Sequence, residues 1–219
     1  MYMEVDYSRR TYEEEYSRDI EGKSPILVLH DSISSAVFAH DVGSKGKLGD
    51  SIRCVQQDLE SLGCANRDIV GKGDQEAAVQ AVWEEVSKLR EGKQSTVPEA
   101  SPVGESPANG AAENAIFRVQ GQIQTMVSDL ESKLTRTITR ESPLMKWLIE
   151  WSGGLITRQR ETPTGLSSYG NIKGRESRAP LATFGERVFH MPLKGAKTRR
   201  KKAEIRQEYS VPGQKVSHG

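Results

Sequence analysis

Two apolar segments joined by a short polar turn constrain the fold of this chain most strongly. The run Pro25-Ile26-Leu27-Val28-Leu29-His30 is continuous and apolar, which is typical of a strand buried on both faces. Residues 31–34, Asp-Ser-Ile-Ser, have turn chemistry, and residues 35–42 supply a return strand. We therefore predict a β-hairpin here, preceded by another strand over residues 2–7.

Beyond the hairpin the chain alternates helical and strand patterns. Apolar residues spaced three and four positions apart predict four helices, over 48–62, 79–89, 116–134 and 143–155. Short strands are predicted at Ile69-Val70 and near Val97. Three adjacent strands followed by β/α alternation predict an α/β fold, with a mixed five-stranded sheet flanked by helices. The strand carrying Asp6 and the strand before Asp74 should then be neighbours in the centre of the sheet.

Composition divides the chain into three parts. We predict a core over residues 1–140, a helical extension over 141–162, and a poorly ordered region over 163–219 that ends in a flexible basic tail. The hydrophobic content of 35% and mean hydropathy of −0.61 agree with part of the length lying outside a core. The basic residues within 194–206 suit polyanion contact or a nuclear-localisation signal, and equally a disordered, solubilising tail.

Cysteine, histidine and hydropathy patterns exclude several classes of protein. Cys54 and Cys64 are too few for a disulfide framework, so we expect a reduced intracellular compartment. The four histidines lack the spacing of zinc ligands. No apolar run approaches the ~18–20 residues that a membrane span needs, and no signal-peptide pattern opens the sequence. We expect a soluble protein that is not secreted and has no membrane partner.

Three acidic residues stand in settings that suit metal-dependent phosphodiester chemistry. Asp6 lies in the first strand, Asp74 follows a strand and opens a helix, and Glu113 lies at the head of a long helix. Carboxylates on rigid elements can hold two divalent cations. Alternative interpretations remain for each: Glu113 suits the helix dipole, Asp74 suits an N-cap, and Asp31 rivals Asp6 as the first acid.

The order of these motifs resembles the integrase catalytic core of retroelements, in particular copia-type retrotransposon polyproteins. The resemblance includes the early strand aspartate, the hairpin, Gly-Asp-Gln-Glu at 73–76 and Ser-Pro-Ala-Asn-Gly-Ala-Ala-Glu at 106–113. The spacing between Asp74 and Glu113 is close to that typical of this D-D-E family. Segments at 143–148 and 184–188 also resemble sequence that follows such cores, so the resemblance covers about residues 2–192.

The resemblance implies a ribonuclease-H-like fold and a set of site residues. It makes Asp6, Asp74 and Glu113 the catalytic metal ligands, with two Mg²⁺ or Mn²⁺ ions as cofactors. It also places five polar residues near DNA: Lys72, Asn109, Asn114, Arg118 and Gln122. The implied reaction is 3′-end processing and strand transfer of element DNA into target DNA, in the nucleus, by a homo-oligomer.

Two other functions remain open at this point. The chain could be an inactive or domesticated core that binds DNA or a protein partner without catalysis. It could also be another ribonuclease-H-like enzyme, such as a nuclease that cuts RNA in hybrids. That second alternative is disfavoured, because such enzymes usually have a fourth carboxylate and nothing in the sequence marks one.

Overall fold

A computed structural model of the chain describes residues 2–8, 25–43, 45, 49–73, 76–90, 94–100, 110–178, 182–186, 189–190 and 206–207. For residues 2, 4–8, 100, 189–190 and 206–207 it describes the backbone alone. Asp74, Asn109 and the basic residues at 194–202 lie outside the described residues.

Five strands form one mixed sheet in the order β3-β2-β1-β4-β5. Their bounds are β1 Tyr2–Ser8, β2 Ile26–Asp31, β3 Val37–Asp41, β4 Ile69–Gly73 and β5 Thr96–Ala100. The β1–β2 and β2–β3 pairs are antiparallel, whereas β1–β4 and β4–β5 are parallel. Two further short strands, β6 Phe189–His190 and β7 Arg206–Gln207, pair with each other. The predicted hairpin and mixed α/β class are confirmed.

Helices cover both faces of the sheet. Their bounds are α1 Gly49–Ser61, α2 Ala77–Arg90, α3 Gly110–Leu134, α4 Pro143–Gln159 and α5 Ser168–Lys173. The first four confirm the helices predicted from apolar spacing. The α4 helix begins as its sequence indicates, with Pro143 in the first turn and Ser142 accepting a hydrogen bond from the backbone N–H of Leu144. None of the helices in the described part of the chain is both long and apolar enough to cross a membrane.

Strand β2 separates two hydrophobic clusters. Leu27 and Leu29 pack with α1 and α2 on one face, whereas Val28 packs with α3 and α4 on the other. Successive strand residues point to opposite faces, so a strand covered on both sides has to be apolar throughout. The continuous apolar run in the sequence therefore marks the strand that has helices on both sides.

The α4 helix packs closely against the edge strand β3. The Thr157 hydroxyl accepts a hydrogen bond from the Val37 backbone N–H at 2.9 Å and donates one to the Val37 carbonyl at 2.8 Å. Leu148 and Ile149 are fully buried in the same cluster as α3. The segment predicted as a helical extension over 141–162 thus shares the core of the sheet.

Residues 161–178 have more regular structure than their composition predicts. Ser167 caps α5 by accepting from the backbone N–H of Gly170, and Glu176 accepts from both the N–H and the hydroxyl of Ser167. The hydrogen bond from the Ser167 hydroxyl lowers the pKa of Glu176 most, and the bond from the Ser167 backbone N–H lowers it further. Hydrogen bonds from polar side chains stabilise this segment, and a hydropathy profile does not reveal such bonds.

Candidate functional site

The predicted first and second acids follow neighbouring parallel strands. The β1–β4 register runs from Tyr2 opposite Val70 to Val5 opposite Gly73. Asp6 is the next residue of β1, and Asp74 follows Gly73 in the sequence. Because neighbouring parallel strands run towards the same end of a sheet, Val5 and Gly73 bring the chain to adjacent places at that end. The prediction that these two segments are central neighbours is confirmed, while the positions of the two carboxylates lie outside the described part.

The third predicted acid, Glu113, lies in the first turn of α3, the helix that covers one face of the sheet. Glu113 is exposed in the first turn of α3, where the helix dipole favours a negative charge. Val28, the register partner of Asp6, packs in the same cluster as Ala115 on α3. Glu113 is thus on the helix that covers the face to which Val28 points. Among side chains that the structure describes, no group of three or more His, Cys, Asp or Glu could hold a metal ion.

Asp31, the rival for the first acid, serves the hairpin turn. Its side chain is buried and accepts hydrogen bonds from the backbone N–H of Ile33 and from the backbone N–H and hydroxyl of Ser34. In the sheet register it lies opposite Met3, at the end of β1 away from Asp6. The structure therefore assigns Asp31 a turn-forming role.

Four of the five predicted DNA-contacting residues lie in described segments. Asn114 is exposed on α3, and Arg118 and Gln122 are half-buried on the same helix. Their spacing of four residues places them along one side of α3. Lys72 lies between Gly71 and Gly73, two buried glycines of β4. Their contact with DNA stays a prediction.

One surface residue and one cavity were not anticipated from the sequence. Phe117 on α3 is 75% exposed, and its position in the sequence lies outside the apolar stripe of the helix. A cavity of about 210 Å³ lies between α2 and the ends of β4 and β5, where Trp83, Gly73 and Pro98 form part of its wall. It lies next to the strand end that precedes Asp74.

Two histidines in the sheet have shifted pKa values. Burial lowers the pKa of His30, and its Nδ1 atom has no hydrogen-bond partner among the described residues. Burial alone would also lower the pKa of His40. The charge and hydrogen bond of Asp58, together with Cys54, outweigh that effect and raise it to about 10. Because β3 and α1 carry this pair, it ties the edge strand to a helix on the face opposite α3.

No family model and no curated protein matches the sequence. Solved structures do match. The catalytic core domain of BIV integrase has a TM-score of 0.54 at 12% identity, covering 79% of this chain and 93% of that one. The HTLV-2 integrase catalytic core domain, in complex with magnesium and in a dimeric form, has 0.51 at 15%, covering 78% and 94%. The simian T-cell lymphotropic virus intasome has 0.51 at 13%, covering 92% and 68%. At these identities the likeness is one of fold, and the fold is that of retroviral integrase catalytic cores.

Proposed function

We propose that this chain is an integrase-like polynucleotidyl transferase core from a copia-type retroelement. In this proposal Asp6, Asp74 and Glu113 hold two Mg²⁺ or Mn²⁺ ions. The observation that carries it is the parallel β1–β4 register, which ends at Val5 opposite Gly73, one residue before each strand acid. The integrase-core fold supports the same arrangement.

The donor set fits the proposed ions. Mg²⁺ and Mn²⁺ favour carboxylate oxygens, and all three predicted ligands are carboxylates. When bound, a pair of such ions activates an attacking oxygen and stabilises a leaving oxygen. The protein's own contribution is to hold each ligand on a rigid element, which a sheet edge and the first turn of a 25-residue helix provide.

The proposed reaction has two displacements at phosphorus. A water oxygen first attacks a phosphodiester near the 3′ end of the element DNA. The 3′ oxygen of the retained strand leaves, and the released nucleotides carry the 5′ phosphate. The exposed 3′-hydroxyl then attacks a target phosphodiester, and the target's 3′ oxygen leaves. Neither step forms a covalent bond to the protein.

The proposed DNA contacts flank these ligands. Arg118 and Lys72 would neutralise phosphate charge, and Asn114, Gln122 and Asn109 would hydrogen-bond to backbone or base edges. We extend the proposal to homo-oligomeric assembly and action in the nucleus.

A strand-transfer assay tests this function. Purified protein would be incubated with a short element-end duplex, target DNA and Mg²⁺ or Mn²⁺. Glu113→Gln replaces a proposed ligand carboxylate by a neutral amide. Because Glu113 is exposed, the change should leave folding intact. Loss of a residue that merely supports a metal ligand typically costs 10–100-fold, so we expect loss of a direct ligand to reduce turnover by about 100-fold or more.

Glu141→Gln is the matched control, since Glu141 is also exposed and lies in the loop before α4. It should keep full activity. Equal turnover by the wild type and Glu113→Gln would refute the proposal. Tight, salt-sensitive DNA binding without metal-dependent turnover would support the inactive, DNA-binding alternative instead.

A further inference from the structure

Trp83 on α2 is in direct contact with the backbone of β4. The side chain is 1% exposed, and its ring lies against Gly71. A Cβ atom built at Gly71 would be 2.3 Å from Trp83 Cδ2 and 2.5 Å from Cε3, distances that real Cβ atoms essentially never show. Glycine at position 71 therefore lets the indole ring approach the strand closely.

The same indole ring makes a polar contact one residue further along the strand. Trp83 Nε1–H donates a hydrogen bond to the Lys72 carbonyl oxygen at 3.2 Å. A buried indole N–H needs such a partner, and the bond gives the ring a fixed position along β4. Strand and helix are thereby held together by a packed ring face and by a directional bond.

These contacts lie at the last described residues of β4. The pairing of β4 with β1 and with β5 is described as far as Gly73, one residue after Lys72. On the far side Glu76 is held by Lys45, whose Nζ lies 2.9 Å from the Glu76 carboxylate. Only residues 74 and 75 lie between these two points in the sequence, so the end of β4 is the described element that directly precedes Asp74.

We propose that Trp83 is a positioning residue that sets the end of β4 and thereby the place of the Asp74 carboxylate. This inference depends on the proposed function, in which Asp74 is a metal ligand. A ligand displaced by about 1 Å can reduce turnover by up to about 100-fold. A group that positions a ligand should therefore affect metal affinity and kcat more than DNA binding.

The test variant replaces Trp83 with Phe, which keeps an aromatic ring against Gly71 and removes the N–H donor. A second variant carries β-(3-benzothienyl)alanine at position 83, in which sulfur replaces the N–H and the bicyclic shape is kept. This second variant answers the question even if the first one is poorly folded. Trp147→Phe is the matched control, because Trp147 is 45% exposed on α4.

Two measurements are made on the full chain: Mn²⁺ affinity by isothermal titration calorimetry, and the kcat and KM of strand transfer. We expect both position-83 variants to bind Mn²⁺ about tenfold more weakly and to lose 10- to 100-fold in kcat, at an unchanged KM for DNA. The Trp147 control should match the wild type in both measurements.

The outcomes separate the two proposals. Position-83 variants with wild-type Mn²⁺ affinity and kcat, measured beside an active wild type, would overturn the positioning role and leave the proposed function intact. A wild type that binds no Mn²⁺ would overturn both. A wild type that binds Mn²⁺ without turnover would overturn the proposed catalysis, and weaker binding by the variants would still support the role of Trp83.

Discussion

The buried pair of His40 and Asp58 gives the sharpest test of what holds the edge strand in place. His40 Nε2 lies 2.8 Å from Asp58 Oδ2, and the two side chains are 15% and 5% exposed. Replacing His40 with Leu leaves the Asp58 carboxylate buried without its partner. Removal of one partner from a buried pair typically costs about 3–5 kcal/mol.

The pKa of His40 gives a second magnitude, which combines the effects of burial, Asp58 and Cys54. Raising that pKa from 6.5 to about 10 is equivalent to about 4–5 kcal/mol of preference for the protonated imidazole. Domains of this size are stable by about 5–15 kcal/mol, so His40→Leu should remove a large part of the total. The double variant with Asp58→Leu replaces both charges by apolar groups and should recover most of the loss.

Urea unfolding at pH 7, followed by circular dichroism, measures these free energies. Lys133→Ala provides the exposed comparison. Lys133 and Asp129 form a pair on the surface of α3 with side chains 52% and 44% exposed, which is worth about 0.3–0.5 kcal/mol. A cost for His40→Leu no larger than that of Lys133→Ala, or a double variant as unstable as the single one, would refute the reasoning.

The sign of the pH dependence follows from the same pair. The folded pKa of His40 lies above its unfolded value, and burial likewise raises the pKa of Asp58. The folded protein therefore binds protons more tightly than the unfolded chain. The stability that His40 contributes should be complete below about pH 6.5 and lost as the pH rises through about 10. The double variant has no His40 and should lack this pH-dependent contribution. The difference in free energy of unfolding, wild type minus double variant, should therefore fall between about pH 6.5 and 10.

Two further predictions concern close packing and a buried cation. A Cβ at Gly153 would lie 2.8 Å from the Ala39 backbone nitrogen, so Gly153→Ala should force α4 away from β3 and cost about 1–3 kcal/mol in urea unfolding. Gly154→Ala, whose Cβ would meet nothing closer than 3.5 Å, should instead be neutral or stabilising by up to about 1 kcal/mol. Arg90 is buried and donates to three backbone carbonyls in the loop before β4. Arg90→Lys loses that forked geometry and should cost about 2 kcal/mol in thermal unfolding, with faster amide exchange in the loop, whereas Arg53→Lys on the exposed face of α1 should change neither.

Local sequence patterns were sufficient to predict helices that bury one apolar face and a strand that is apolar throughout. The apolar spacing of α1 to α4 and the continuous apolar run of β2 correspond to the observed helices and to the strand between two clusters. Periodicity failed at the ends of the stripes. Leu89 and Leu134 continue the helical pattern but are 52% and 51% exposed, whereas Arg90, the last residue of α2, is buried.

For the candidate site, too, the sequence predicted one part and the structure added another. Sequence could name Asp6, Asp74 and Glu113 because Asp6 lies in a predicted strand and the other two stand at predicted helix starts. Sequence favoured Asp6 over Asp31, because Asp31 has turn chemistry and lies closer to Asp74 than this spacing pattern requires. The structure shows that Asp31 lies opposite Met3 at the far end of β1 and that its oxygens accept hydrogen bonds within the turn.

By itself, the sequence determined which segments become strands and helices, since the period of apolar residues is a local property that burial on one or two faces imposes. Only the tertiary structure decided the residue register between β1 and β4, that Trp83 packs on Gly71, and that His40 meets Asp58. These are pairings between residues distant in the chain. They depend on shape, on hydrogen-bond direction and on the cost of burying an unpaired charge, none of which appears in the spacing of residues along one segment.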